Sequence, residues 1–470
     1  MPGKPGGAKG RRKTECETDR QMERTFATVS NAAKQAEEAT LWQRARLREI
    51  AEPCVWTNRM LTALVEGVKG GVWYSLYDKV YAKRTLERAW ERVRRNNGAA
   101  GVDRESVTFF AKDADQRLDR LSRDLREGAY QPHAVMRTWI DKPGKKEKRP
   151  LGIPAVRDRI VQAALVIVLE PIFERDFLPT SFGFRRRLGA KDALREVDGL
   201  LKQGFTWVVD VDFKSYFDTI DHDHLLDLVR RRVSDGRILE LIEAYLKADI
   251  LDGLSQWTPE AGTPQGAVLS PLLSNIYLHE LDSRMRDLGY RMVRYADDFV
   301  VLCETEAEAR AALDEVHAFA VAFGLTVHPT KTRIGDTTQR KDGFDFLSYH
   351  FERGKHWVSP KKLPELRAKL RPRLKRNNGH SLDEIIRTVN PTLRGWYGYF
   401  KHSRPGTFIE VDKWVRGRLR SILRRRQHRK GRDRGRDHQR WPNSHFANHG
   451  LFSLKHAWDL ECQSLSRATR

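Results

Sequence analysis

A chain of 470 residues is too long for one compact core and predicts about three structural units. Its formal net charge of +23 and 40% hydrophobic content exclude an acidic or disordered class and point to a globular protein with a polyanionic partner, nucleic acid before acidic membrane. The longest apolar run, Ala163–Leu169, stops at Glu170 and is too short to span a bilayer, so no membrane partner is expected. Cys16, Cys54, Cys303 and Cys462 form no C-x-x-C pair, which argues against a zinc finger or a disulfide framework and fits a reducing cytoplasm. The start, MPGKPGGAKGRRKT, lacks the apolar core of a signal peptide.

In chain order, residues 1–24 read as a basic disordered tail and 25–105 as a helical extension, broken at Asn96-Asn97-Gly98. Leu86, Ala89, Trp90 and Val93 lie at helical spacing. Met136–Ile140 reads as a strand, followed by a charged turn from Asp141 to Pro150. A helix is expected from Val156, ended or bent at Pro171. Phe205–Asp212 reads as a strand ending in acid, with helices at Asp223–Arg232 and Arg237–Lys247. Ser270-Pro271 has the form of an N-cap and first-turn proline. Arg291–Arg294 and Phe299–Leu302 flank Tyr295-Ala296-Asp297-Asp298 as strand, tight turn, strand. A helix over Ala307–Phe323 and strands at Phe344–Tyr349 and His356–Val358 follow. Beyond about residue 360 the chain reads as helical and very basic: residues 361–440 hold 25 Lys and Arg against seven Asp and Glu, a net +18. So local an excess argues for a binding surface, and the interleaved Trp396, Tyr397, Tyr399, Phe400, Trp414 and Trp441 suit RNA, though helix core is the first reading for Trp396, Tyr399 and Trp414.

Two adjacent carboxylates at a turn repel each other, and hard oxygen ligands suit Mg²⁺. Asp210 and Asp212 stand at the end of the Phe205 strand. Asp212 is expected to share a face with the turn and Asp210 to face away, leaving Asp212, Asp297 and Asp298 to hold two Mg²⁺ for phosphoryl displacement. Lys142, Lys148, Arg149 and Lys331 are cations available to a triphosphate, with Lys331 a candidate general acid for pyrophosphate.

The ordered set Arg149-Pro-Leu-Gly-Ile-Pro154, Ser181-Phe-Gly-Phe184, Asp212-Phe-Lys-Ser-Tyr-Phe-Asp218, Thr263-Pro-Gln-Gly266, Leu269-Ser-Pro271, Tyr295-Ala-Asp-Asp298 and His328-Pro-Thr-Lys-Thr332 resembles the reverse transcriptases of bacterial group II introns. Asn390-Pro-Thr-Leu-Arg-Gly-Trp-Tyr-Gly-Tyr-Phe400 resembles that family's maturase, or thumb, domain, and Trp441-Pro-Asn443 with Gly450–Leu454 its C-terminal segment. The resemblance covers about residues 75–460. It implies an α+β right-hand polymerase: fingers at 106–204, a palm with an antiparallel sheet at 205–352, a helical thumb/maturase domain at 353–425 and a basic nucleic-acid-binding segment at 426–470.

Carried over residue by residue, the resemblance makes Asp212, Asp297 and Asp298 the metal triad and Phe217 the gate that excludes a 2′-hydroxyl. Arg149 and, more weakly, Lys142 hold the triphosphate, and Gln265 and Gly266 shape the nucleotide pocket. Gly98–Asp103 resembles the extension that cups the template. Arg394, Arg424, Arg425 and Arg426 are the expected RNA contacts, and Phe182 and Phe184 are expected to be packing residues. Two departures stand out. Ala267 replaces the family's second glycine after Pro-Gln-Gly, and the chain shows no paired cysteines of an HNH endonuclease, so no second-strand cleavage is expected. The implied function is RNA-directed DNA polymerisation from dNTPs on an RNA template with a DNA primer. To it are added maturase binding of the intron RNA and support of retrohoming, in a bacterial cytoplasm near the nucleoid. An RNA-binding splicing cofactor without synthesis, and a host-domesticated reverse transcriptase of repair or phage defence, are the alternatives.

Overall fold

The computed structural model describes residues 45–68, 70–141, 148–429 and 435–468, so the basic stretch 1–24, Cys16 and Lys142 lie outside the described residues. The strands are β1 (Val135–Asp141), β2 (Lys148–Ile153), β3 (Trp207–Val211), β4 (Ile250–Asp252), β5 (Ser255–Trp257), β6 (Arg291–Tyr295), β7 (Asp298–Cys303), β8 (Arg333–Asp336), β9 (Phe344–Phe346), β10 (Tyr349–Glu352) and β11 (Lys355–Val358). Two units form. One gathers the described residues up to Arg137 with Gly152–Phe177 and His222–Ile276; the other gathers Thr138–Leu151, Leu178–Asp221 and the chain from Tyr277. No helix among the described residues is long and apolar enough to cross a membrane.

The first unit is built on the helix Val156–Glu174, buried on nearly every side, as an all-round apolar sequence requires. The helix Lys83–Asn96 buries Leu86, Ala89, Trp90 and Val93 and stops where Asn97 turns left-handed at φ 45°. Pro171 does not end the Val156 helix, which runs on to Glu174. Proline offers no N–H to the carbonyl four residues back, and the indole Nε1 of Trp56 donates to that carbonyl, Ile167 O, at 3.2 Å. Val135 and Met136 of β1 pair in parallel with Ile250 and Leu251 of β4. β4 and β5 form a hairpin of three-residue strands, too short to announce itself in the residue pattern.

The second unit carries an antiparallel sheet of order β6-β7-β3-β8. The helix Ala190–Lys202 packs Ala193, Val197 and Leu200 onto Val208, Val293, Val300 and Leu302, and the helix Glu306–Ala322 packs on β3, β7 and β8. In β3, alternation puts Val208 and Asp210 on one face, and the same parity carries Asp212 to that face. Asp210 therefore does not face away from Asp212, because residues two apart in a strand share a side. The expected single strand Phe344–Tyr349 is instead two, β9 and β10, joined by Leu347 and Ser348 at φ 47° and 71°. Leucine rarely occupies such a turn; here its carbonyl accepts from the Tyr399 hydroxyl at 2.8 Å, and Ser359 N–H donates to Ser348 O at 2.9 Å.

C-terminal to β11, the helices Lys362–Leu370, Leu382–Phe400, Pro405–Arg426, Asn443–Asn448 and Leu454–Ala468 enclose their own core, centred on Leu370, Leu393, Phe408, Ile422, Phe446 and Leu454. Tyr397 and Trp441 are part of that core, while Trp396 and Trp414 pack against it. Asn390 explains why two separate sequence blocks belong together. Its Nδ2 donates to Gly450 O at 2.8 Å and its Oδ1 accepts from Phe452 N–H at 2.9 Å. Buried Asp412 accepts from Leu454 N–H at 3.0 Å and from the Ser453 hydroxyl at 2.7 Å, satisfying the start of the last helix.

Candidate active site

The β6–β7 hairpin closes on the pair Tyr295–Asp298, leaving Ala296 and Asp297 at its tip. Ala296 takes φ 61°, the sign demanded at the first central position of a tight hairpin turn and normally supplied by glycine. The loop Ser181–Phe184 lies directly behind. Phe182 N–H donates to Arg294 O at 2.8 Å, and Arg294 N–H donates to Thr180 O at 3.0 Å. A Cβ on Gly183 would stand 2.0 Å from Ala296 N, so the loop approaches the turn as only glycine allows. Sequence reasoning matched this block without finding the role of Gly183; the lone glycine between two phenylalanines was its only signal.

On the neighbouring strand Val211 faces Phe299, so the next residue, Asp212, stands opposite Asp298. Asp212 is pinned through its backbone: its carbonyl accepts from His328 N–H at 2.8 Å and its N–H donates to Thr332 Oγ1 at 3.3 Å. The same loop brings Lys331 Nζ to 2.8 Å from Asp212 Oδ2.

These carboxylates disturb one another. Asp298 keeps an exposed edge; partial desolvation, then the charges of Asp210, Asp297 and Asp212, push its pKa to about 7. Asp297 is raised by burial and by Asp212, with Arg149 and Arg294 acting in the opposite direction. Asp210 is raised to about 6, mainly by burial, despite Arg333 at 3.9 Å. Among the described residues no three His, Cys, Asp or Glu side chains already converge as a ligand set, and Asp212 is paired with Lys331. The donor chemistry nonetheless fits a hard divalent cation: hard oxygen donors, crowded and mutually repelled, beside one ammonium.

A stability signature follows. Above about pH 4 the unfolded aspartates are ionised, whereas folded Asp298 and Asp210 retain protons up to about 7 and about 6. The folded state binds more protons across that window, so without divalent cation the melting temperature should fall as pH rises from 4 to 7. Added Mg²⁺ should restore it at pH 8 and do little at pH 5. Differential scanning fluorimetry across this grid checks the expectation.

Phe217 is half-buried just after Tyr216, its ring in a T-shaped pair with that of Phe184, centroids 6.5 Å apart. Phe182 is core, as expected, but Phe184 is 49% exposed and lies beside Phe217 rather than packing inside. Arg149 is exposed on β2 and its charge reaches Asp297. Gln265 and Gly266 belong to the first unit, on a turn with Gly266 at φ 106°. That turn is held by Gly152 N–H donating to Gln265 O at 2.6 Å and by buried Gln162, whose Oε1 accepts from Val268 N–H at 2.8 Å. Ser270 does not cap its helix through the side chain; its hydroxyl donates to Pro264 O at 2.9 Å.

Of the expected RNA contacts, Arg394 and Arg425 are exposed, Arg394 lying over the Phe452 ring. Arg426 is exposed and donates to the carbonyl of His380, and no carboxylate among the described residues pairs with it. Arg424 differs: its side chain is 13% exposed and pairs at 2.7 Å with Asp437, itself 1% exposed. Its charge is committed inside the thumb.

Residues 140–351 match the family model described as reverse transcriptase (RNA-dependent DNA polymerase), and residues 363–441 match the group II intron maturase-specific domain. Protein YkfC of Escherichia coli K12 is 37% identical over 293 residues, 54% of this chain and 76% of that protein. Group II intron-encoded protein LtrA of Lactococcus lactis subsp. cremoris is 36% identical over 208 residues, 44% of this chain and 34% of that protein. The chain thus spans three quarters of the first relative and about a third of the second. Nuclear intron maturase 4, mitochondrial, of Arabidopsis thaliana is 26% identical over 235 residues, 50% of this chain and 28% of that protein. With a polymerase domain followed by a maturase-specific domain, the chain belongs to the group II intron-encoded reverse transcriptases.

Proposed function

We propose that this protein extends a DNA primer with dNTPs along an RNA template, and that it binds its group II intron RNA as a splicing maturase that supports retrohoming in a bacterial cytoplasm. The observation that carries the polymerase reading is the meeting of Asp212 with the Asp297–Asp298 turn on adjacent strand ends. Two Mg²⁺ ions held by these carboxylates would lower the pKa of the primer 3′-hydroxyl and neutralise charge on the triphosphate. Phe217, with Phe184 beside it, bounds the sugar and selects against a 2′-hydroxyl. Arg149 supplies positive charge to the phosphates. Lys331 holds a proton 2.8 Å from Asp212 Oδ2, poised to neutralise the departing pyrophosphate. The maturase reading rests on the basic, separately cored helices beyond residue 360.

Primer extension on an RNA template with Mg²⁺, beside splicing of the cognate intron at low Mg²⁺, tests both halves. No extension under any divalent cation, with splicing support intact, would replace the polymerase by an RNA-binding cofactor. The RNA track has its own test. Replacing Arg425 and Arg426 by Gln should lower the slope of log affinity against log salt by roughly 1–2, about 0.7 for each lost phosphate contact. Arg424→Gln should instead lower stability by removing a charged partner of buried Asp437, and leave the slope of the folded fraction unchanged. An unchanged slope in the double variant would place the track elsewhere.

A further inference from the structure

We infer that the buried ion pair Arg294–Asp282 is a positioning device for the polymerase turn, holding Asp297 and Asp298 in register from behind. The inference rests on the reading of Tyr295–Asp298 as the active-site turn.

Asp282 lies on the helix Ser270–Asp287 and Arg294 on β6, one residue before Tyr295. Their side chains are 1% and 0% exposed. The contact is bidentate: Nε to Oδ1 at 2.7 Å and Nη2 to Oδ2 at 2.5 Å. The remaining nitrogen, Nη1, donates to Ala296 O at 2.9 Å, the carbonyl immediately before Asp297. The arginine fork is thus fixed at two prongs by the helix and presents a third to the turn.

Such a pair is a poor choice for stability alone. Desolvating two charges offsets much of their attraction, and apolar residues of similar volume often serve as well or better. Its geometry has a more specific use. Ala296 holds a backbone conformation that costs an L-residue on the order of 1–2 kcal/mol, and such strain persists only where neighbours over-determine it. Arg294 supplies several of those restraints. Its guanidinium takes the Ala296 carbonyl, its own carbonyl accepts from Phe182 N–H, and its N–H donates to Thr180 O. One residue therefore ties the helix, the Ser181–Phe184 loop and the turn together. Two carboxylates that repel each other at a strained tip need such a tie when no cation is bound.

The test separates stability from positioning. Arg294→Met and Asp282→Leu each remove a charged partner from a buried group and should lower the melting temperature markedly. The double variant Arg294→Met/Asp282→Leu should regain most of that loss yet keep a kcat roughly a hundredfold below wild type, the cost of a displacement of about 1 Å at reacting groups. KM for dNTP should stay within about threefold, since nucleotide contacts lie elsewhere, while the Mn²⁺ concentration for half-saturation, followed by EPR, should rise about tenfold. A double variant with wild-type stability, kcat and Mn²⁺ binding would overturn the inference and leave the pair purely structural. Should the apolar pair fail to fold, Arg294→Lys decides. It keeps the charge but cannot span both Asp282 and Ala296 O, so a folded variant with wild-type kcat and Mn²⁺ binding overturns the inference equally. Asp298→Asn distinguishes the two levels: if it leaves extension intact the active-site reading itself is wrong, whereas an inactive Asp298→Asn beside a fully active double variant refutes only the positioning role.

Discussion

Asp298→Asn should reduce primer extension on an RNA template by at least about a thousandfold, comparable to or beyond the loss of a key electrostatic group elsewhere. The same change should raise the melting temperature of the protein in the absence of divalent cation at pH 8. The two effects have one origin. Asp298 is desolvated and faces Asp210, Asp297 and Asp212, which is why its carboxyl titrates near 7. Replacing it by an amide of the same shape removes the repulsion, and with it the charge that a cation would neutralise. A residue whose removal stabilises the resting protein while abolishing turnover is held there for chemistry. Asp210→Asn supplies the contrast. Asp210 shares the face but matches no member of the triad, so its loss should cost about tenfold or less, through Asp298. Single-turnover extension and scanning fluorimetry on the same preparations read both quantities. Asp298→Asn retaining more than about a tenth of the rate would remove Asp298 from the mechanism.

The triad was legible because it is written in short-range patterns. A strand ending in acid and a two-residue turn between apolar runs are both local. Register then needed only the pairing of Val211 with Phe299 to bring Asp212 opposite Asp298. What was not legible depends on partners far away in the chain. Pro171 reads locally as an end or a bend of the helix, and Trp56, 111 residues from Ile167, supplies the donor that proline lacks. Arg424 sits in a run of three arginines that reads as one surface, but Asp437 draws it inside while Arg425 stays out. Leu347 and Ser348 are poor turn residues whose left-handed backbone is stabilised by Tyr399 and Ser359. Asp210 is a different case. Its side was readable from strand alternation alone, and the period of two puts it with Asp212.

Gly183→Ala should be nearly as damaging as loss of a triad carboxylate, although Gly183 carries no functional group. The added Cβ would stand 2.0 Å from Ala296 N and 2.7 Å from both Ala296 Cα and Tyr295 C. All three are backbone atoms of the turn, so no side chain can rotate out of the way. Relief requires the Ser181–Phe184 loop and the turn to separate by about 1 Å, which also stretches the bonds from Phe182 N–H to Arg294 O and from Arg294 N–H to Thr180 O. The stability cost should be about 1–3 kcal/mol, the usual range for overpacking. The catalytic cost should be larger, roughly a hundredfold or more in kcat, because the displaced atoms precede Asp297 and Asp298 directly. Gly199→Ala is the matched control. Gly199 lies in the helix Ala190–Lys202 with nothing within 4 Å of its would-be Cβ, so alanine there should stabilise the helix by about 1 kcal/mol and leave extension unchanged. Primer extension and thermal melting of the pair test the argument. A folded Gly183→Ala protein with wild-type kcat would show that the turn does not depend on the loop behind it, whereas a loss of rate exceeding the loss of stability locates the damage at the carboxylates.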